Sequence, residues 1–214
     1  LPKIWCSKNI YKITDVEGIE KVDKVLKKGK GAICLTPHLG SFELSSKIYS
    51  KYFPITILYK PSKNKTLDWI LSNYRPSPGV TTVKTNYSGV KSLLKALKKG
   101  ESIGMLPDQV PPLGKGLWVP FFGNLAYTNI LAIRLALLTG APIVWVLCTQ
   151  SVSGWKFSLN VWDEFSSSIK EQEIEKTVIM MNDHLEKLIL ENSSYYMWGY
   201  DRYKTPKSRE KTKL

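Results

Sequence analysis

An α/β domain with a mixed, largely parallel central sheet flanked by helices is what this sequence predicts, on three observations. Short apolar runs bounded by glycine and proline alternate with stretches whose apolar residues recur at helical spacing. The chain of 214 residues is long enough for one sizeable core, and no repeat, linker or low-complexity segment interrupts it before Tyr200. Hydrophobic residues make up 43% and charged residues 23%, an ordinary globular balance that excludes a disordered chain.

The first strand is expected at Ala32–Thr36, an apolar run between Gly31 and Pro37. Leu44, Ile48 and Tyr52, four apart, make a helical stripe over Gly40–Tyr52. Ile55–Tyr59 reads as a second strand, and Thr66–Asn73 as a helix that stops before Pro76. Val90, Leu93, Leu94 and Leu97 form one face of a helix over Tyr87–Lys99, closed by Gly100. Ser102–Leu106 is a further strand, followed by a Gly/Pro-rich connection over Pro107–Gly116 and the apolar segment Leu117–Phe122. A helix over Thr128–Thr139 ends at Gly140, and the strands Pro142–Cys148 and Lys156–Trp162 follow. Glu171–Glu191 closes the series as a long amphipathic helix. Strands separated by crossover helices imply parallel pairing. The domain is expected over residues 1–204, with 205–214 as a basic, disordered tail.

Charge is the unusual property. Lys+Arg number 31 against Asp+Glu 18, a formal +13 that points to an anionic partner without choosing among nucleic acid, membrane and acidic protein. The segment Asp201–Leu214 carries +4 of it, so the body of the chain is basic as well. Three cysteines with no CxxC pair and two histidines support neither a disulfide scaffold nor a multi-histidine metal site; no metal is expected. Cys34 and Cys148 sit in apolar runs and read as buried thiols. The longest apolar stretches fall far short of the about 20 residues that span a bilayer. A chain opening on Leu1 reads as a fragment or processed form, which leaves room for a preceding anchor.

In open α/β sheets, sites form where strands end and helices begin. His38 follows the first strand, and Glu43 lies five residues on, in the opening of the helix. On a continuous helix that offset would point the two side chains about 140° apart. They meet only if His38 precedes the helix and folds back over it, a turn that Pro37 and Gly40 permit. A histidine beside a carboxylate can deprotonate a hydroxyl. The plain alternative is a helix-start histidine with a glutamate favoured by the macrodipole.

Further segments sharpen the choice. His38-Leu-Gly-Ser-Phe-Glu43 has the form H-x4-E, and Tyr59-Lys-Pro-Ser-Lys-Asn64, Leu106-Pro-Asp-Gln109 and Val119-Pro-Phe-Phe-Gly123 follow in order. Arg134 to Pro142 and Trp198-Gly-Tyr-Asp-Arg-Tyr-Lys204 complete the set. Together these resemble the lipid A biosynthesis late acyltransferases, the lauroyl/myristoyl acyltransferase family within the lysophospholipid and glycerol-phosphate acyltransferase superfamily. The resemblance runs from about Gly18 to Pro206. Lys60 departs from it, standing where arginine is usual and losing bidentate geometry toward a phosphate.

The resemblance implies a glycerol-phosphate-acyltransferase-like fold and transfer of a fatty acyl chain from acyl carrier protein to a hydroxyl of a lipid A precursor, with no cofactor. His38 would be the general base and Glu43 would fix its tautomer. Arg75, together with backbone amides near Leu39–Gly40, would stabilise the oxyanion, and Asp108 would hold Arg75 or shape the acceptor site. Arg75 equally suits a helix C-terminal dipole partner, and Asp108 a turn-initiating residue. Phe121 and Phe122 suit either the wall of an acyl pocket or plain core. Lys60, Lys63, Asn64, Gln109, Arg134 and Arg202 are the remaining substrate-binding candidates, for phosphate or the acidic carrier, though surface lysines are usually only solvated. His184 is left out as a surface or packing histidine. The implied location is the cytoplasmic face of the cell inner membrane, against anionic phospholipid. The family normally begins with an anchoring helix, and only 37 residues precede His38 here. Rival readings are a related enzyme acting on another lipid alcohol such as a lysophospholipid, a non-catalytic peripheral membrane protein, and a basic nucleic-acid-binding domain. The last leaves the H-x4-E, P-D-Q and V-P-F-F-G segments without a role, so nucleic acid is not expected as a partner.

Overall fold

The structure, a computed structural model, describes residues 14–60, 64, 66, 77–152, 154–162 and 173–207. Among them the chain runs β1 (Thr14–Glu17), α1 (Ile19–Leu26), β2 (Ala32–Leu35), α2 (Phe42–Tyr49), β3 (Ile55–Tyr59), β4 (Val80–Lys84) and α3 (Tyr87–Lys98). It continues with β5 (Ser102–Met105), β6 (Gly116–Phe121), β7 (Asn124–Asn129), α4 (Leu131–Thr139), β8 (Ile143–Ser151), β9 (Gly154–Val161) and α5 (Ile174–Glu191).

Seven strands form one sheet in the order β1-β9-β8-β2-β5-β3-β4. Every neighbouring pair is parallel except β8 and β9, which run antiparallel through a tight connection. The mixed, largely parallel sheet expected from the sequence is therefore present. Its central strands are buried on both faces, which is why β2 and β5 read as short continuous runs rather than alternations.

Side chains still alternate between the faces. Ile33, Leu35, Ile103, Trp145 and Leu147 join Leu93 of α3, Ile133 of α4 and Leu185 of α5 in one core. Ala32, Cys34, Val144, Val146 and Cys148 pack with Val22 of α1 and Leu44 and Ile48 of α2 in the other. Helix α3 begins where the Asn86 side chain accepts a hydrogen bond from Gly89 N–H at 2.9 Å, a cap worth about 1 kcal/mol. His184 stacks on Trp145 with centroids 4.9 Å apart, the packing histidine expected.

Several elements differ from expectation. The helix placed at Thr128–Thr139 starts at Leu131, because residues 124–129 pair with β6 as a two-stranded antiparallel hairpin. β1, α1 and β4 were not anticipated: β1 and β4 are edge strands of the sheet and carry no apolar run. The helix expected over 66–73 lies outside the described residues apart from Thr66. Pro206 is buried, and the Lys207 carbonyl accepts from Leu113 N–H at 3.1 Å, so residues 205–207 are part of the packed structure. Residues 208–214 lie outside the described set.

Candidate active site

Parallel strands β2 and β5 pair with Ala32 opposite Ser102 and Leu35 opposite Met105. The same offset of 70 residues carries beyond the strand ends and sets His38 beside Asp108. Asp108 Oδ1 lies 2.7 Å from His38 Nδ1, and Oδ2 accepts from the His38 main-chain N–H at 2.8 Å. One carboxylate thus holds both the ring and the backbone of the histidine. Asp108 is buried, and the Tyr196 phenol lies near it. Burial and the nearby Asp108 charge push the Tyr196 phenol above its ordinary pKa.

The arrangement assigns the imidazole tautomer. A carboxylate on Nδ1 calls for Nδ1–H, which leaves the Nε2 lone pair outward. The Gln109 amide Nε2 stands 3.0 Å from that nitrogen and is correctly placed to donate to it. Gln109 is exposed, so this partner sits at the solvent side of the ring.

The turn that carries His38 is fixed from two directions. Gly40 has φ +61°, and a Cβ there would lie 2.3 Å from the Cys148 carbonyl oxygen. Only glycine admits both that conformation and that approach. Gly40 N–H donates to Tyr195 O, and Ser41 N–H to Cys148 O. From the C-terminal segment, Met197 N–H donates to His38 O, and Tyr200 Oη accepts from Val110 N–H at 2.8 Å. Residues 195–200 therefore tie the His38 loop and the Asp108 loop together. Tyr196, Met197 and Tyr200 were not expected at the site, although Tyr200 lies within the Trp198–Lys204 segment. Beyond that, their signal was the aromatic density around Trp198.

A cavity of about 560 Å³ opens beside His38. It extends between the sheet and α2, lined at depth by Cys34, Tyr49, Ile55 and Gly104 and near the mouth by Glu43, Lys60 and Gln109. Glu43 thus shares the cavity with His38, while the carboxylate on Nδ1 is that of Asp108. Tyr49 Oη and Ser102 Oγ are 2.7 Å apart at the inner end. Burial pushes the Cys34 and Cys148 thiols up to about 12, so neither is a thiolate nucleophile at neutral pH.

Other expected site residues fall elsewhere. The Leu39 and Gly40 amides, expected at the oxyanion, already donate to Pro37 O and Tyr195 O, so they are corrected to structural groups. Phe121 belongs to the core under α5 and Phe122 to the tip of the β6–β7 hairpin; neither lines the cavity. Arg202 is buried rather than open to phosphate: it donates to Tyr127 O and Thr128 Oγ1 and lies over the Phe121 ring. Burial lowers its pKa, opposed by the phenol of Tyr196 and the carboxylate of Asp108. Arg134 is exposed on α4, and Asn64 is exposed near the cavity's Lys60 in sequence. Lys63 and Arg75 lie outside the described residues.

Residues 3–205 match the family described as bacterial lipid A biosynthesis acyltransferase. The lipid A biosynthesis palmitoleoyltransferase of Escherichia coli K12 is 25% identical over 203 residues, which cover 94% of this chain and 65% of that protein. The lauroyltransferase of the same organism is 27% identical over 202 residues, again 94% and 65%. A lipid A biosynthesis acyltransferase of Haemophilus influenzae is 24% identical over 97% of this chain and 64% of its own length. The chain thus spans about two thirds of the length of these curated relatives or slightly less. Among solved structures, the 1-acyl-sn-glycerophosphate acyltransferase of Thermotoga maritima aligns with TM-score 0.43 and 16% identity, over 85% of this chain and 79% of that one.

Proposed function

The chain belongs to the bacterial lipid A biosynthesis acyltransferase family, and we propose that it moves a fatty acyl chain from an acyl-carrier-protein thioester to a hydroxyl of a lipid A precursor, with His38 as general base. The observation that carries this reading is the Asp108–His38 pair at 2.7 Å, beside a largely apolar cavity of acyl-chain size that His38 and Gln109 both line.

In this mechanism the acceptor hydroxyl displaces the Gln109 amide from Nε2. As its oxygen bonds to the thioester carbonyl carbon, its proton passes to Nε2. Asp108 keeps Nδ1–H in place and stabilises the imidazolium that forms, as the acid of a triad does. The C–S bond then breaks, and the imidazolium returns the proton to the departing thiolate. No acyl-enzyme is needed, because the thioester is already activated. Glu43, in the wall of the same cavity, adds negative potential beside the imidazolium, and Arg75 is assigned to the oxyanion. Lys60 at the cavity rim suits either the acidic carrier or a precursor phosphate. The reaction is assigned to the cytoplasmic face of the inner membrane. No cofactor takes part, and nucleic acid is not a partner.

His38→Ala should lower acyl transfer by at least about a thousandfold with the circular dichroism spectrum unchanged. Asp108→Asn should cost about as much, and Glu43→Gln distinctly less. The reverse order would return the tautomer-fixing role to Glu43, and full activity of His38→Ala would remove the mechanism. Mass spectrometry of lipid A from a strain lacking its own late acyltransferase reads acceptor and chain length together. A lysophospholipid product would redirect the reading to another lipid alcohol.

A further inference from the structure

We propose that the outward face of the β6–β7 hairpin is a bilayer-docking surface for anionic phospholipid, leading directly into the cavity beside His38. In the hairpin, Gly116 pairs with Asn129, Trp118 with Tyr127 and Pro120 with Leu125. Side chains alternate between the two faces of such a ribbon. The inner face, with Val119, Phe121, Ala126 and Thr128, is buried; Asn182 of α5 reaches it, donating to Pro120 O at 2.7 Å and Thr128 Oγ1 at 3.2 Å. Toward its tip the outer face exposes apolar side chains: Trp118, its ring 5.3 Å from that of Tyr127, is 46% exposed, Leu125 62%, and Pro120 is exposed between them.

This strip is continuous with the site. Asn129, at the base of the same face, lines the cavity together with Pro111 and Pro112. From there to Leu125 is four residues, about 14 Å of strand. Tyr127, between them, is covered by the loop whose Gly114 and Gly116 N–H groups donate to its hydroxyl, and that loop exposes Leu113 at 57%. In the C-terminal segment, Met197 lines the same cavity, and Trp198 is exposed near the hairpin tip with its ring 6.4 Å from that of Phe122.

The loop end of the strip is cationic: Lys115 and Lys207 are exposed there, and the Leu113–Lys207 hydrogen bond fixes Lys207 beside the loop. At the far tip the Glu186 carboxylate accepts from Phe122 N–H at 2.7 Å. Exposed tryptophan and leucine with a lysine border, on a chain of formal charge +13, fit the interfacial zone of an anionic bilayer. The aromatic and aliphatic groups enter the acyl boundary while the lysines meet headgroup phosphates. On the reading that the cavity holds an acyl chain, a lipid acceptor would then reach His38 without leaving the membrane.

The test adds the protein to vesicles of phosphatidylglycerol with phosphatidylcholine, and to phosphatidylcholine vesicles alone, and measures partition by co-sedimentation. Trp118→Ser combined with Leu125→Ser should weaken partition to the anionic vesicles by about 30-fold or more, the circular dichroism spectrum being unchanged. Lys115→Glu should weaken it several-fold on anionic vesicles only. Undiminished binding by the double variant overturns the proposal. So does an oligomer that the double variant dissociates, which would give the face to a second copy. Hydrolysis or transfer of a soluble acyl thioester is measured in parallel. Normal vesicle binding without any acyl transfer would leave the surface standing and remove the enzymatic reading instead.

Discussion

The two faces of the central sheet are built from the same strands and behave differently. Toward α3, α4 and α5 the strands present Ile33, Leu35, Ile103, Trp145 and Leu147, which close-pack. Toward α1 and α2 they present Ala32, Cys34, Val144 and Val146, with Gly104 in the middle. The volume missing from the second face is the cavity beside His38. In a sheet whose strands are buried on both sides, small residues such as Gly104 leave a cavity on one face while the other is close-packed.

Three substitutions would break or sharpen this contrast. The largest effect is expected on the packed face. Trp145→Ala should cost about 3–5 kcal/mol in urea unfolding, since Trp145 is fully buried and stacks on His184 and beside Trp162. Its indole N–H has no hydrogen-bond partner among the described residues, so the loss is one of packing. A cost under about 1 kcal/mol would mean the two faces differ less than their residues suggest. On the cavity face, Gly104→Ala should destabilise by about 1–2 kcal/mol, because the new Cβ meets Ile57 Cγ2 at 2.9 Å and Ile55 Cδ1 at 3.2 Å. Its main effect should be on selectivity, favouring shorter acyl chains in a competition assay. Unchanged chain preference would place the acyl chain elsewhere. The smallest effect is expected from Tyr49→Phe, which leaves Ser102 Oγ without its 2.7 Å partner and should cost about 1 kcal/mol in thermal unfolding.

Much of the fold was legible beforehand. β2, β3, β5 and α3 fall within a residue or so of expectation, because an apolar run or a helical stripe marks each. β7 was missed because Asn124–Asn129 has polar ends, and its strand character comes from pairing with β6 across the Phe122–Gly123 turn, where both φ values are positive. His38 was legible from its place after a strand, and Cys34 and Cys148 as buried thiols from the apolar runs around them. The partner of His38 was not. H-x4-E draws attention to Glu43 because it is near in sequence, while Asp108 is 70 residues away. Arg202 looked like a phosphate ligand because nothing local distinguishes a buried arginine from a surface one; Tyr127 and Thr128 decide it.

By itself, the sequence determined the α/β class, the strand that delivers the histidine, the family and the excess of positive charge. Those properties are local or compositional: periodicity, motif and composition do not depend on which strands become neighbours. Tertiary structure alone decided that β5 lies next to β2 in a register that sets Asp108 against Nδ1. It also decided that the C-terminal aromatics clasp both loops, and that small residues on separate strands line up on one face. Each depends on side-by-side strand pairing, whose register is chosen by burial over the whole sheet rather than by any one segment.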